Sequence, residues 1–257
     1  MQQPQENDQP ILVHVENGIA RITLNNPRRK NAITIKMSEQ IEEFCDLVDN
    51  DWSIGGVILD AVGAYFCSGA DTRDLASSSA NPASTEAIER TSAVYRAFTR
   101  VGSMPVPSIA LVAGGTVGAG LNLAMATDLL LVTPDAVLDS GFLARRIHPG
   151  GGHISLLGRS LSRQQAMALA VLGVAVSGVE AARMGLAWKA IEQEAMLAEA
   201  CGLLRLAAAD PLLARKIKHS ADLELGPGAV RWDAAVELER GVQMWSLGRK
   251  GEAGWDK

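Results

Sequence analysis

The 257-residue chain is 47% apolar and 21% charged, with 25 glycines, 10 prolines and 4% aromatic residues, a balance that excludes a disordered, collagen-like or small disulfide-scaffold protein. Its 24 basic and 29 acidic residues leave a formal charge of −5, so no global positive field draws in nucleic acid or anionic lipid, and neither is expected as a partner. A chain of this length buries a sizeable core without external staples.

Cys45, Cys67 and Cys201 are odd in number and widely spaced, with no Cys-x-x-Cys pair, which predicts free thiols in a reducing compartment and no zinc site. Residues 1–10 are polar and Gln-rich, read as disordered, and lack the basic patch and apolar run of a signal peptide. No apolar stretch approaches the roughly 20 residues of a membrane span, so a cytoplasmic location is expected.

In chain order, residues 11–15 and 19–24 flank Asn17-Gly18, a tight-turn dipeptide, and predict two strands. Met37, Ile41, Phe44, Cys45 and Val48 recur at helical steps, predicting a helix over about 34–49, followed by a buried strand over 56–62. A second helix is expected over about 86–101, closed by Pro105 and Pro107, before the apolar strand 108–112. Between these units, residues 77–84 are small and polar, which suits a linker or a lid over a site equally. From about Pro149 helices dominate: Ser177 and Glu180 have capping-box spacing, and Gly185 stands at a helix C-terminus. Val230, Ala234, Leu238, Val242 and Trp245 mark one side of a late helix that returns to the core or packs on another subunit.

Two glycine-rich segments follow apolar strands. Gly118-Ala119-Gly120-Leu121-Asn122-Leu123 begins like a dinucleotide fingerprint but carries Leu123 at the last glycine position. Gly115 and Gly120 have the Walker spacing, yet Leu121 and Asn122 replace the lysine and hydroxyl residue that phosphate and magnesium require. The remaining reading is that these glycines let the backbone approach a ligand, so that main-chain N–H groups act as donors. Phe66-Cys67-Ser68-Gly69-Ala70-Asp71 and Gly118-Ala119-Gly120 are the two candidates.

These segments come in order with Ile22-Thr23-Leu24-Asn25-Asn26-Pro27 and Asn31-Ala32-Ile33 before them, and Pro149-Gly150-Gly151-Gly152 and 177–186 after them. Together they resemble the crotonase family, the enoyl-CoA hydratase and isomerase superfamily, from about Ile11 to Trp245. The resemblance implies an α/β fold: a spiral of strand, strand and helix units over 11–205, followed by a helical C-terminal region, 206–257, used for assembly into trimers or paired trimers. It also implies a bound acyl thioester of coenzyme A, the coenzyme being part of the substrate and not a resident cofactor. By position, the backbone N–H groups of Ala70 and Ala119 would hold the thioester oxygen, while Arg28, Lys30, Ala32, Ala70, Asp71 and Thr72 would contact coenzyme A. Arg28, Arg29 and Lys30 equally suit a solvated charge run, with Arg29 the least favoured as a contact. No metal is expected.

Hydratases of that family share acid–base work between two glutamates, and both positions depart here. The first is filled by Asn122, which cannot accept a proton, and the second, seven residues before Pro149, falls on Phe142. Neighbouring Ser140, Gly141, Leu143 and Ala144 offer no effective acid. His148 is the foremost replacement candidate because histidine as a residue type suits proton transfer near neutral pH, although stabilising the glycine turn is the commoner role. Asp139, expected on the opposite strand face, and His153, beside the turn, are the other replacement acids the sequence offers, neither obviously placed. Asp71 suits a helix start or local backbone bonding, and Arg145 and Arg146 suit an acidic acyl group or solvent. The functional expectation is an enoyl-CoA hydratase or isomerase of fatty-acid metabolism. The alternatives are a non-catalytic acyl-CoA-binding protein or a crotonase-type isomerase, decarboxylase or thioesterase.

Overall fold

A computed structural model describes residues 9–71, 73–74 and 84–225. The late helix expected around Val230 to Trp245 and most of the small-residue segment at 77–84 lie outside the described residues. Strands β1 (Ile11–Glu16) and β2 (Ile19–Leu24) form the antiparallel hairpin. Asn17 at φ 51° and Gly18 at φ 75° supply the two left-handed positions that such a turn requires.

From β2 onward the chain winds between two sheets. Strands β3 (Gly56–Ala61), β5 (Ser108–Val112), β7 (Leu129–Val132) and β10 (Lys189–Ala190) extend the first in parallel, giving a six-stranded sheet of order β1-β2-β3-β5-β7-β10. Strands β4 (Tyr65–Cys67), β6 (Gly115–Val117), β8 (Val137–Asp139) and β9 (Val176–Ser177) form the second, in the order β4-β6-β8-β9. Each strand of the larger sheet from β3 to β7 is thus followed by one of the smaller, which is the expected spiral. Because β4, β6 and β8 pair in parallel, the segments leaving them emerge at the same edge.

Helix α1 (Ile35–Asn50) begins at Thr34, whose side chain accepts from the Met37 N–H, and buries Met37, Ile41, Phe44, Cys45 and Val48, the stripe seen in the sequence. It packs against α2 (Thr85–Val101), which Ser84 caps. Short helix α3 (Ala119–Met125) follows β6; α4 (His153–Ser160), α5 (Arg163–Ala170) and α6 (Gly178–Met184) follow β8. The Ser177–Glu180 capping box opens α6 and Gly185 at φ 88° closes it. The main core joins α1, α2 and α3 to both sheets. A second core lies across the larger sheet, where Ile58, Ile109, Leu111 and Leu131 meet Met196, Ala200 and Leu204 of α7 (Gln193–Ala209). Helix α8 (Pro211–Leu225) ends the described chain.

Cys45 and Cys67 are free and buried, and burial pushes both thiols up to about 12, which removes them as nucleophiles near neutral pH; Cys201 is exposed. No helix among the described residues is long and apolar enough to cross a membrane.

Candidate active site

The two turns singled out in the sequence meet in space. A methyl group added to Gly120 would lie 2.3 Å from the Cys67 carbonyl oxygen and 2.7 Å from its Cβ, so only glycine lets α3 start against the end of β4. One added to Gly69 would stand 3.1 Å from the Val117 oxygen and 3.8 Å from the Ala119 nitrogen. Gly118, at φ 55°, turns the chain from β6 into α3, and its N–H donates to Asp139 O on β8 at 3.0 Å. Ala119 is therefore the first residue of α3, where an N–H has no acceptor within the helix. At the other turn, Ile33 N–H donates to Gly69 O at 2.8 Å and Asp71 N–H to Ile33 O at 2.9 Å, a bridge that leaves the Ala70 N–H out. Among the described residues, neither the Ala70 nor the Ala119 N–H has a backbone acceptor.

Both turns line a cavity of about 810 Å³. Arg28, Lys30, Ala32, Ala70, Ala119, Asn122, Phe142 and His148 all reach its wall. Arg29, Arg73, Arg90 and Arg145 add to its basic lining, and the Lys30 ammonium sits 4.5 Å from the centre of the Tyr65 ring. The Asn-Ala motif has a structural explanation. Asn31 is fully buried; its Oδ1 accepts from Asn26 N–H at 2.7 Å, and its Nδ2 donates to Val62 O at 3.0 Å and Tyr65 O at 2.8 Å, fastening the basic segment to β4.

Asp71 is not on the cavity wall. It is 1% exposed and ion-paired with Arg29 at 2.7 Å and Arg73 at 3.2 Å. Burial would raise its pKa, but hydrogen bonds from Arg73 and the charges of Arg29 and Arg73 outweigh that and hold the carboxyl below its ordinary value. Arg29, the least favoured of the three basic residues, is thereby held in place by a buried carboxylate. Thr72 lies outside the described residues. His148 is exposed at the cavity, its Nδ1 2.7 Å from the oxygen of Pro149. Asp139 Oδ1 accepts from the Gly141 N–H at 2.8 Å, and Arg145 Nη1 donates to Gly141 O at 3.0 Å.

His153, which the sequence places only beside the glycine turn, has its imidazole 1% exposed, with Nδ1 2.7 Å from Asn122 Oδ1 and Nε2 2.7 Å from Ser140 Oγ. Asn122 Nδ2 donates to Gly150 O at 3.0 Å. Phe142 meets the imidazole edge-on at 5.0 Å between ring centres. Burial lowers the His153 pKa to about 4, so the ring is neutral near neutral pH. No sequence spacing links positions 122, 140 and 153; only the convergence of α3, β8 and α4 does.

A two-sheet spiral whose two glycine turns line one basic cleft defines a crotonase-type α/β enzyme. The family model described as Enoyl-CoA hydratase/isomerase matches residues 14–232, and the chain belongs to that family. It is 33% identical to a probable enoyl-CoA hydratase, EchA14, of Mycobacterium tuberculosis (strain ATCC 25618 / H37Rv), over 93% of this chain and 92% of that protein. It is 30% identical to a 1,2-epoxyphenylacetyl-CoA isomerase of Escherichia coli (strain K12), over 91% and 88%. Among solved structures, an enoyl-CoA hydratase from Polaromonas sp. JS666 superposes with a TM-score of 0.84 at 25% identity, covering 95% of each chain.

Proposed function

We propose that the chain binds acyl thioesters of coenzyme A and stabilises an enolate of the acyl group between the N–H groups of Ala70 and Ala119. The observation that supports this is that Ala70 and Ala119, neither with a backbone acceptor for its N–H among the described residues, line the same cavity on two turns that touch. Attack on an acyl-CoA, or proton loss beside its thioester, puts negative charge on the carbonyl oxygen, and a preorganised donor there is worth roughly 2.7–4 kcal/mol. The N-terminal end of α3 adds a partial positive charge to the same place. Arg28 and Lys30, at the cavity with Ala32, suit the coenzyme phosphates.

The nominal reaction is hydration of an enoyl-CoA in fatty-acid metabolism, as the name of the mycobacterial relative supports. Asn122 and Phe142 stand at the two glutamate positions, and the Asn122 amide is already engaged by Gly150 and His153. Loss of positioned acid–base groups costs about 10²- to 10⁴-fold in rate, so hydration is slow. His148 is close enough to the cavity to act on a proton in its place. The engaged amide favours a second reading, a thioester-binding protein without hydration. The isomerase name of the Escherichia coli relative favours a third, rearrangement of an acyl-CoA. A cytoplasmic trimer, or a pair of trimers joined through 206–257, completes the proposal.

Calorimetry tests the donor pair directly. Crotonyl-CoA is expected to bind more tightly than free coenzyme A, and Ala119→Pro to abolish that difference. Proline at the first helical position deletes the N–H while leaving the helix largely undisturbed. Equal affinities for thioester and thiol in the wild type would refute the reading. Crotonyl-CoA hydration then separates slow turnover from none, and a rate gained by the Asn122→Glu, Phe142→Glu double variant locates the defect.

A further inference from the structure

We infer that Ser140, His153 and Asn122 form a nucleophile, base and orienting group at the cavity, and that the chain cleaves acyl-CoA thioesters through an ester on Ser140 Oγ. This goes beyond enolate stabilisation but rests on the same thioester-binding reading.

The hydrogen-bond directions follow from Gly150. Its carbonyl oxygen can only accept, so the Asn122 atom 3.0 Å away is the amide nitrogen, and Oδ1 is turned to His153. An amide oxygen also only accepts, so His153 carries its proton on Nδ1. The lone pair on Nε2 therefore faces Ser140 Oγ at 2.7 Å, and the hydroxyl donates to it. This is the nucleophile–base–orienter order of a hydrolytic triad, with asparagine in the third place. When asparagine replaces the aspartate of a serine-protease triad, activity collapses because the amide selects the wrong imidazole tautomer. Here Gly150 O fixes the amide and removes that fault.

Ser140, itself 1% exposed, lines the same cavity as Ala70 and Ala119. Phe142, at a glutamate position, covers one edge of the imidazole.

The chemistry balances with water as the co-reactant. Ser140 Oγ bonds to the thioester carbonyl carbon as its proton passes to His153 Nε2, and the oxyanion rests on the two backbone N–H groups. The C–S bond breaks, and the coenzyme thiolate takes the proton from Nε2. Water then adds to the seryl ester, giving a proton to Nε2. The C–Oγ bond breaks and Oγ recovers that proton, leaving a carboxylic acid and free coenzyme A.

The test uses the full chain with butyryl-CoA and phenylacetyl-CoA, chromatography for free coenzyme A and acid, and mass spectrometry of quenched, digested protein. Release of both products in equal amounts is expected, with an acyl group on the peptide that carries Ser140. Ser140→Ala and His153→Gln should each lower release by about 10³-fold or more and abolish the adduct, whereas Ser140→Cys should retain it as a thioester. Undiminished release from Ser140→Ala, or an adduct on exposed Cys201 in place of Ser140, overturns the relay. Calorimetric binding of butyryl-CoA to the wild type without coenzyme A release overturns the relay alone and leaves the thioester reading standing. Absence of binding brings down both.

Discussion

His153 shows how one buried polar ring shapes both chemistry and stability. It sits 1% exposed between Ser140 and Asn122, and burial lowers its pKa to about 4 from an ordinary 6.5. Between these two values the unfolded chain binds a proton that the folded chain refuses, so stability rises with pH across that window. The contribution is complete above about pH 6.5 and is lost as the pH falls toward 4. Urea unfolding between about pH 7 and pH 4.5 should therefore cost the wild type roughly 2 kcal/mol more than it costs His153→Gln, which has no titrating ring there. Equal losses would mean that the folded imidazole takes up its proton as readily as the unfolded one, so that burial does not depress its pKa.

The contact of α3 with the end of β4 is the element on which the cleft depends. Gly120 lies inside a helix, where alanine normally gains about 1 kcal/mol over glycine. Here the added carbon would meet the Cys67 carbonyl at 2.3 Å, and neither backbone can yield without separating the two turns. Gly120→Ala is expected to reverse the usual sign and destabilise the chain by about 2–3 kcal/mol in denaturant titration, with loss of crotonyl-CoA affinity. Such contacts also explain what the sequence disclosed. The Met37, Ile41, Phe44, Cys45 and Val48 stripe, the Asn17-Gly18 turn and the Ser177–Glu180 box are local patterns, and each became the predicted element. The two turns that carry Ala70 and Ala119 were legible because glycines mark them, and they line one cavity. The cluster of Asn122, Ser140 and His153 left no trace, since its members share no period and only the pairing of β6 with β8 and the return of α4 bring them together. Asp71 was legible as a polar residue at the turn, but its ion pair with Arg29 depends on the tertiary approach of the basic segment.

At the scale of the whole molecule, the spiral and its C-terminal helices are held together by a few side chains that reach across a long stretch of sequence. Arg215 on α8 is 6% exposed, and its Nη2 donates to Val48 O at 2.6 Å, Asp51 O at 2.9 Å and Ile54 O at 3.4 Å, closing the end of α1 and the entry to β3. Its guanidinium stands 5.1 Å from the centre of the Trp52 ring, while Lys218, one turn on, reaches Asp128 at 3.1 Å beside β7. Removing one donor that serves several buried carbonyls costs more than one exposed ion pair, because those oxygens lose a charged partner without regaining water. Arg215→Ala should lower stability by about 2–3 kcal/mol. Hydrogen exchange should localise the effect, with amides of 211–225 opening early while those of β3 and β5 keep their protection. If the C-terminal helices join copies of the chain, as proposed, the same variant shifts light-scattering mass toward the single chain at low protein concentration. An unaltered mass alongside faster exchange in α8 would place the assembly surface elsewhere.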